Sequence, residues 1–223
     1  MAKGISAQEA AAMIADGSTV MLGGFLSHGS PMEIIDALVA SGVRDLTLIL
    51  NDTGYPERGA GQLIRRGQVR KVITSDISSN PDASSLMMQG RLDVEFSPQG
   101  TLVERIRCGG AGLGGVLTHT GVGTVIAEGK QKVSVDGVDY LLEKPLRADF
   151  AIIKGAAGDR SGNIVYRGTA QNFNPLMAMA ADTVIAEVDE LLEVGGIKPE
   201  HVHTPGLLVD YLVSLRSCRL AGQ

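Results

Sequence analysis

Residues Ser18-Thr19-Val20-Met21-Leu22-Gly23-Gly24-Phe25 are followed, after a short loop, by Ser30-Pro31-Met32-Glu33 and an apolar run to Val39. The first five residues are β-prone, the glycines supply a turn, and Ser30 with Glu33 has the spacing of a capping box that opens a helix over 30–39. Strand, glycine turn and helix make one βα unit. Upstream, Ser6-Ala7-Gln8-Glu9 is a second capping box; Ala10, Met13 and Ile14 give the following segment one apolar face, so a helix is expected over 6–16, with Gly17 as its stop.

Downstream the unit recurs. Residues 46–50 form a near-continuous apolar run, a loop opens at Asn51, a helix is expected around 59–66, and 69–74 reads as the next strand. Asn80-Pro81 starts another helix with Leu86 and Met87 on its apolar side, and Gly90 ends it before a strand at 92–96. Apolar runs of this kind belong to strands covered on both faces. Later come an expected hairpin, 131–135 and 138–142 around Asp136-Gly137, read as a surface excursion, and a buried strand at 150–154. Gly162-Asn163 makes a turn into 164–167, followed by a helix at 173–181 and a strand at 183–188. Pro205-Gly206 precedes an apolar stretch at 207–215 that reads as helical, and a polar end begins at Arg216. Alternating strands and helices predict an α/β protein, an open three-layer α/β/α sandwich with a peripheral β-hairpin. No linker or charge block divides residues 1–223, so one domain is expected.

Ligands of such sheets bind where loops converge at the carboxyl ends of strands. Gly23-Gly24-Phe25, Asn51-Asp52-Thr53 and Ser97-Pro98-Gln99-Gly100 all follow expected strands and are placed to meet at one edge. In the last of these, Ser97 is expected to cap a helix whose first residue is Pro98. The amides of Gln99 and Gly100 would then be free at the positive end of the helix dipole, beside the Gln99 side-chain donor. That grouping suits a carbonyl oxygen gaining charge, or a phosphate. Leu102, Val103 and Ile106 form the apolar face, which leaves Glu104, Arg105 and Arg107 for solvent or a partner. After Arg107 the run from Cys108 through Gly115 is expected to end the helix and bring bare backbone close to a neighbour.

Composition narrows the function. A net charge of -5 with acidic and basic residues interspersed gives no basic face for nucleic acid. The start Met1-Ala2-Lys3 does not read as a signal peptide, no apolar run is long enough for a bilayer, and the cysteines Cys108 and Cys218 are an isolated pair. A cytoplasmic protein without a membrane partner is expected. Gly110, Gly112 and Gly115 have the spacing of a dinucleotide fingerprint but follow a helix instead of preceding one, and Gly129-Lys130 lacks the Ser or Thr of a phosphate loop. His201 and His203 stand near Glu200 without further ligands, so no metal site is expected. His28 and His119 lie in glycine-rich loops and are candidate general bases, with no paired nucleophile evident for either. Glu33, Glu104 and Glu128 are the nearest carboxylates and the candidates for a nucleophile or base, although capping is a sufficient role for Glu33 and Glu104 reads as an exposed helix residue.

The set Val20 to Phe25 with Gly29 and Pro31, Pro98-Gln99-Gly100-Thr101-Leu102, Glu104 to Arg107, Gly109 to Gly112, Thr120-Gly121-Val122-Gly123-Thr124 and Asn172-Phe173-Asn174 resembles the alpha subunits of class I CoA-transferases. It is closest to the bacterial acetate or butyrate to acetoacetate enzymes, and similar to the N-terminal half of succinyl-CoA:3-oxoacid CoA-transferase. The resemblance implies transfer of CoA between short-chain acyl-CoA and 3-oxoacids. In that family a glutamate attacks the acyl-CoA, the acyl group leaves as the acid, and a glutamyl-CoA thioester passes CoA to a second acid. The glutamate lies in a Ser-Glu-Asn-Gly motif of the beta subunit, and no such motif occurs here. The chain is therefore expected to need a beta subunit, in a hetero-oligomer such as α2β2, and to use no cofactor beyond the coenzyme A thioester that is its substrate. The resemblance implies that Gln99 contributes to the oxyanion hole, and that Gly23, Gly24, Phe25, Gly29, Gly100 and Gly121 line the acyl and CoA region. Leu26 stands where many relatives have glycine, and His119 where they usually have proline. Rival readings are a sugar-phosphate isomerase of related fold, which needs an internal acid–base pair, and a noncatalytic CoA-sensing module.

Overall fold

A computed structural model describes residues 2–215; Cys218 and the polar end from Arg216 lie outside the described residues. The elements in chain order are β1 (Lys3–Gly4), α1 (Ala7–Ala12), β2 (Thr19–Leu22), α2 (Met32–Ser41), β3 (Leu46–Ile49), α3 (Ala60–Arg65), β4 (Val69–Thr74) and α4 (Pro81–Met88). They continue with β5 (Asp93–Phe96), α5 (Gln99–Gly110), β6 (Val116–Thr118), β7 (Lys132–Val135), β8 (Val138–Glu143), β9 (Ala148–Asp159), β10 (Ile164–Val165), α6 (Asn174–Met177), β11 (Ala181–Leu192) and β12 (Tyr211–Ser214).

Among the described residues one sheet runs in the order β1-β12-β11-β9-β2-β3-β4-β5 with parallel neighbours throughout, and β10 is added antiparallel to β9. Its inner strands, such as β2 and β3, are apolar on both faces, as the covered strands of a parallel sheet require, while the edge strands β1 and β5 are more exposed. Val20 and Leu22 enter a core with Ile34, Ile35 and Leu38 of α2 and with Leu63 of α3. Met21, one residue out of step, enters the opposite core with Leu102 and Ile106 of α5 and Met177 of α6. The same alternation separates Ile152 from Ala151 and Ile153. Helices α1 to α4 therefore cover one face and α5 and α6 the other, giving the expected three layers. Each fully buried Leu or Ile in these layers contributes about 1.5–3 kcal/mol.

Several local expectations change. At the start of α2 no side chain caps the helix and Pro31 holds the cap position. The cap arrives from across the sheet, where the buried Glu187 of β11 accepts from the Ile34 amide at 3.0 Å. Ser97 does not cap α5 either. Its amide is engaged with Thr74 O at 2.9 Å as the chain leaves β5, its Oγ is buried without a partner among the described residues, and the helix starts at Gln99 behind Pro98. The glycines that were expected to end α5 lie partly inside it. A Cβ on Gly109 would overlap the carbonyl of Leu146, and one on Gly110 would meet Met179, so these two residues let the helix lie against neighbouring backbone.

Arg105 is not offered to solvent. Its guanidinium reaches Glu95 at 2.9 Å and, at 3.8 Å, the buried Glu143, and its Nε donates to Lys144 O at 2.9 Å. Lys130 meets Glu143 at 2.6 Å, and Lys71 meets Glu95 at 2.9 Å. Burial pushes the Glu95 carboxyl up, but the bonds and charges of Lys71 and Arg105 outweigh it and hold the group below its usual range. This charged row fastens a second, antiparallel sheet, β6-β8-β7, to α5. The hairpin is thus two strands of a three-stranded sheet, with Asp136 and Gly137 both at positive φ in its turn. The 173–181 segment is helical only at Asn174–Met177. Residues 207–215 do not form the expected helix; a 3-10 turn at Gly206–Leu208 leads into β12, which fills the place between β1 and β11.

Candidate active site

The loop after β2 is held by close backbone packing. A Cβ on Gly23 would overlap the Asn174 side chain, one on Gly24 (φ +125°) would overlap Ser30 Oγ, and one on Gly29 (φ +72°) would strike the backbone of Ala170. Asn174, fully buried, donates to Ala170 O at 2.9 Å and to Gly29 O at 3.3 Å, and accepts from Lys154 N at 3.1 Å. Asn172 accepts from Gly24 N at 3.3 Å and donates to His28 O at 3.3 Å. The Asn172-Phe173-Asn174 segment is therefore a clamp for this loop; Asn174 leaves no room for a side chain at Gly23, while Ser30 and the Ala170 backbone leave none at Gly24 and Gly29. Phe25 and His28 close the tip through reciprocal backbone bonds of 3.0 and 2.8 Å, which leaves the Phe25 ring 41% exposed. Leu26 and Ser27 take φ of +47° and +67°. Leu26 thus holds a backbone conformation that glycine adopts without steric cost and a residue with a Cβ adopts only under strain.

At the start of α5, Leu102 N is bonded back to Pro98 O at 2.8 Å, so the amides of Gln99, Gly100 and Thr101 precede the first helical bond. Gln99 and Gly100 are exposed, and a Cβ on Gly100 would meet open space. The Gln99 side chain is nevertheless fixed: its Nε2 donates to Asn51 Oδ1 at 2.8 Å. Asn51, at the end of β3, is 3% exposed.

The next residue reaches the other way. Asp52 accepts from Leu26 N at 3.0 Å and from Gly54 N at 2.7 Å. Burial pushes its carboxyl above the usual range, the two amide bonds oppose the rise, and nearby Asp76 adds to it. Asn51 and Asp52 thus join the Gln99 helix start to the Gly23–Gly29 loop. Their position after a strand was the available signal; the side-chain pairing itself has no local signature.

Gly121 (φ +90°) lies in the loop after β6, tight against Ile126, and its carbonyl accepts from Thr124. Next to it Thr120 lines, with Gly100, Thr101, Glu104, Leu117 and Thr118, a cavity of about 190 Å³ between the start of α5 and the small sheet. His119 sets its ring edge-on to Tyr140 at 6.5 Å. A larger cavity of about 430 Å³ opens beside Gly29 and is lined also by Ser30, Lys154, Arg167, Glu187 and Asp189. Lys154 Nζ stands 2.6 Å from Asp189 and 3.3 Å from Glu187 there. The volume is within the range of small-ligand pockets. His203 is occupied structurally, accepting from Tyr166 N at 2.9 Å and stacking on its ring. Among the described residues no cluster of His, Cys, Asp and Glu is placed to hold a metal, and no helix is long and apolar enough to cross a membrane.

Comparison with known proteins matches this arrangement to one family. The family model described as coenzyme A transferase matches residues 5–215. Acetate CoA-transferase subunit alpha of Escherichia coli K12 is 53% identical over 206 residues, covering 92% of this chain and 94% of that protein. The acetoacetyl-CoA:acetate/butyrate CoA transferase alpha subunit of Clostridium acetobutylicum is 54% identical over 198 residues, covering 89% of this chain and 91% of that one. Among solved structures, glutaconate coenzyme A-transferase from Acidaminococcus fermentans superposes with a TM-score of 0.85 at 19% identity, over 96% of this chain and 75% of that one. An acyl-CoA transferase of Escherichia coli O157:H7, solved as a thioester complex with CoA, gives a TM-score of 0.85 at 23% identity over 99% of this chain but 51% of that one. These two share the fold. With a family model along nearly its whole described length and relatives above half identity, this chain belongs to the coenzyme A transferase family.

Proposed function

We propose that this chain is the α-subunit of a transferase that moves CoA between a short-chain acyl-CoA and a 3-oxoacid such as acetoacetate, with acetate or butyrate as the partner acid. The names of the relatives at 53% and 54% identity support that substrate class. The observation that carries the reading is the Gln99 carboxamide, anchored through one N–H at the amide-bearing end of α5 and joined through Asn51-Asp52 to the glycine loop. A β-subunit supplies the nucleophilic glutamate. That this chain matches 51% of the chain of the E. coli O157:H7 acyl-CoA transferase supports such a division. The two subunits assemble as a hetero-oligomer such as α2β2, and coenzyme A enters as a thioester substrate. The rival isomerase and CoA-sensor readings gain no support from the relatives.

Each acyl transfer passes through a tetrahedral carbon whose oxygen gains negative charge. The second N–H of Gln99 faces that oxygen, and a donor fixed before the reaction spends nothing on reorganisation as charge develops. The Gly23–Gly29 loop, clamped by Asn172 and Asn174, forms the wall beside the acyl group, and Gly100 and Gly121 border the CoA path.

The test is Gln99→Ala in the complex co-expressed with its β-subunit. Loss of one oxyanion donor lowers kcat by about 10²–10³-fold. Because Gln99 is exposed, folding is little disturbed. Unchanged turnover removes Gln99 from the role.

A further inference from the structure

We propose that Asn51 is the positioning residue for Gln99: by accepting one N–H of the Gln99 carboxamide it fixes the direction in which the other N–H points. The proposal rests on the oxyanion reading of Gln99 given above. Its own support is the unequal setting of the two residues. Gln99 is an exposed side chain with three rotatable bonds on the first turn of a helix, and a side chain so placed samples many rotamers when nothing holds it. Asn51 is the opposite case. It is buried, and its backbone carbonyl accepts from Ser75 N at 3.1 Å, Ser75 Oγ at 2.6 Å and Thr74 Oγ1 at 3.1 Å. Ser75 Oγ also lies 3.2 Å from Asn51 Oδ1.

The Asn51 side chain therefore starts from a backbone locked to the end of β4, and it presents its oxygen to Gln99 Nε2 at 2.8 Å. A carboxamide held by one N–H cannot rotate freely about its last bond without breaking that contact. Its remaining N–H then keeps one direction before substrate arrives, which is the preorganisation an oxyanion donor needs. Asn51 does not titrate, so its contribution is to orientation and not to proton transfer. Because the pair joins the end of β3 to the start of α5, any movement of the helix relative to the sheet would alter the donor's aim.

The test uses the α-subunit assembled with its partner and compares Asn51→Ala, Gln99→Ala and the double variant in kcat, KM for acyl-CoA, and Tm. Misaiming a reacting group by about 1 Å can lower the rate on the order of 100-fold. Asn51→Ala is accordingly expected to lower kcat by roughly 10- to 100-fold, with KM little changed. In the Gln99→Ala background it should add nothing, since there is no longer a carboxamide to aim. Asn51→Ser keeps a polar group in the buried position but is too short to reach Gln99 Nε2; it should lose the same factor, and it serves if the alanine variant fails to assemble. A kcat for both Asn51 variants close to wild type, with Gln99→Ala strongly impaired, overturns the positioning role alone. A double variant whose loss is the product of the single losses also overturns it, because Asn51 then acts without Gln99. Unchanged turnover in Gln99→Ala overturns the oxyanion reading and the positioning role together.

Discussion

The carboxylate of Asp52 accepts the amide of Leu26 at 3.0 Å, a residue 26 positions earlier, and so binds the loop after β2 to the end of β3. Its neighbour Asn51 binds the end of β3 to Gln99. One dipeptide thus sets both sides of the proposed acyl site, and its chemistry makes the site sensitive to pH in a definite direction.

Asp52 is buried, and burial raises its pKa in the folded protein. A carboxyl with a raised native pKa favours folding while it is protonated in both states. It loses that advantage as pH rises from its unfolded value, about 3.9, through the native value. Wild type should therefore lose stability relative to Asp52→Asn, which does not titrate, as urea unfolding is moved from pH 4 upward to pH 7. Asp52→Asn also loses one of the two amide bonds, which sets a constant offset and leaves the slope intact. A stability difference independent of pH contradicts the assignment.

Leu26 holds φ +47° with its amide bonded to Asp52. A left-handed conformation costs a residue with a Cβ about 1–2 kcal/mol, while glycine loses about 0.5–1 kcal/mol through the freedom of the unfolded chain. Leu26→Gly keeps the amide bond and should be neutral or stabilising by about 0.5 kcal/mol. Thermal unfolding checks it, and a loss above about 2 kcal/mol would assign the leucine side chain a packing role that outweighs the strain.

Gly109 sits inside α5, where helix propensity alone favours alanine by about 1 kcal/mol. The Leu146 carbonyl lies where its Cβ would go, and backbone cannot swing aside as a flexible side chain can. Overpacking of this kind costs about 1–3 kcal/mol, so the contact should win and Gly109→Ala should destabilise. A stabilised variant would show that α5 shifts away from Leu146 easily.

The layers of the sheet were legible because strands covered on both faces leave near-continuous apolar runs, as at Val20, Met21 and Leu22 or at Ile152 and Ile153. Capping was legible where the cap is local: Ser6 with Glu9, and Asn80, which accepts from Ala83 N at 3.2 Å. It was not legible at Ser30, where a carboxylate from β11 performs the task, nor at Ser97, whose amide is still engaged with β4. β12 reads as helix because a short apolar run has no distinguishing period, and its pairing with β1 and β11 decides the matter. Gly109 and Gly110 look like a helix stop, yet the demand on them is close packing from Leu146 and Met179. Gln99 could be singled out from its place after a strand. Asn51 as its partner could not, since the two are 48 residues apart and meet only through the sheet order.

The central claim is that this chain holds the oxyanion donor of a site whose nucleophile belongs to another chain. The most direct measurement compares CoA exchange between acetoacetyl-CoA and acetate for the purified chain alone, the purified partner alone and the assembled complex. The account predicts turnover from the complex and background rates from either subunit by itself. Full turnover from the isolated chain would contradict it.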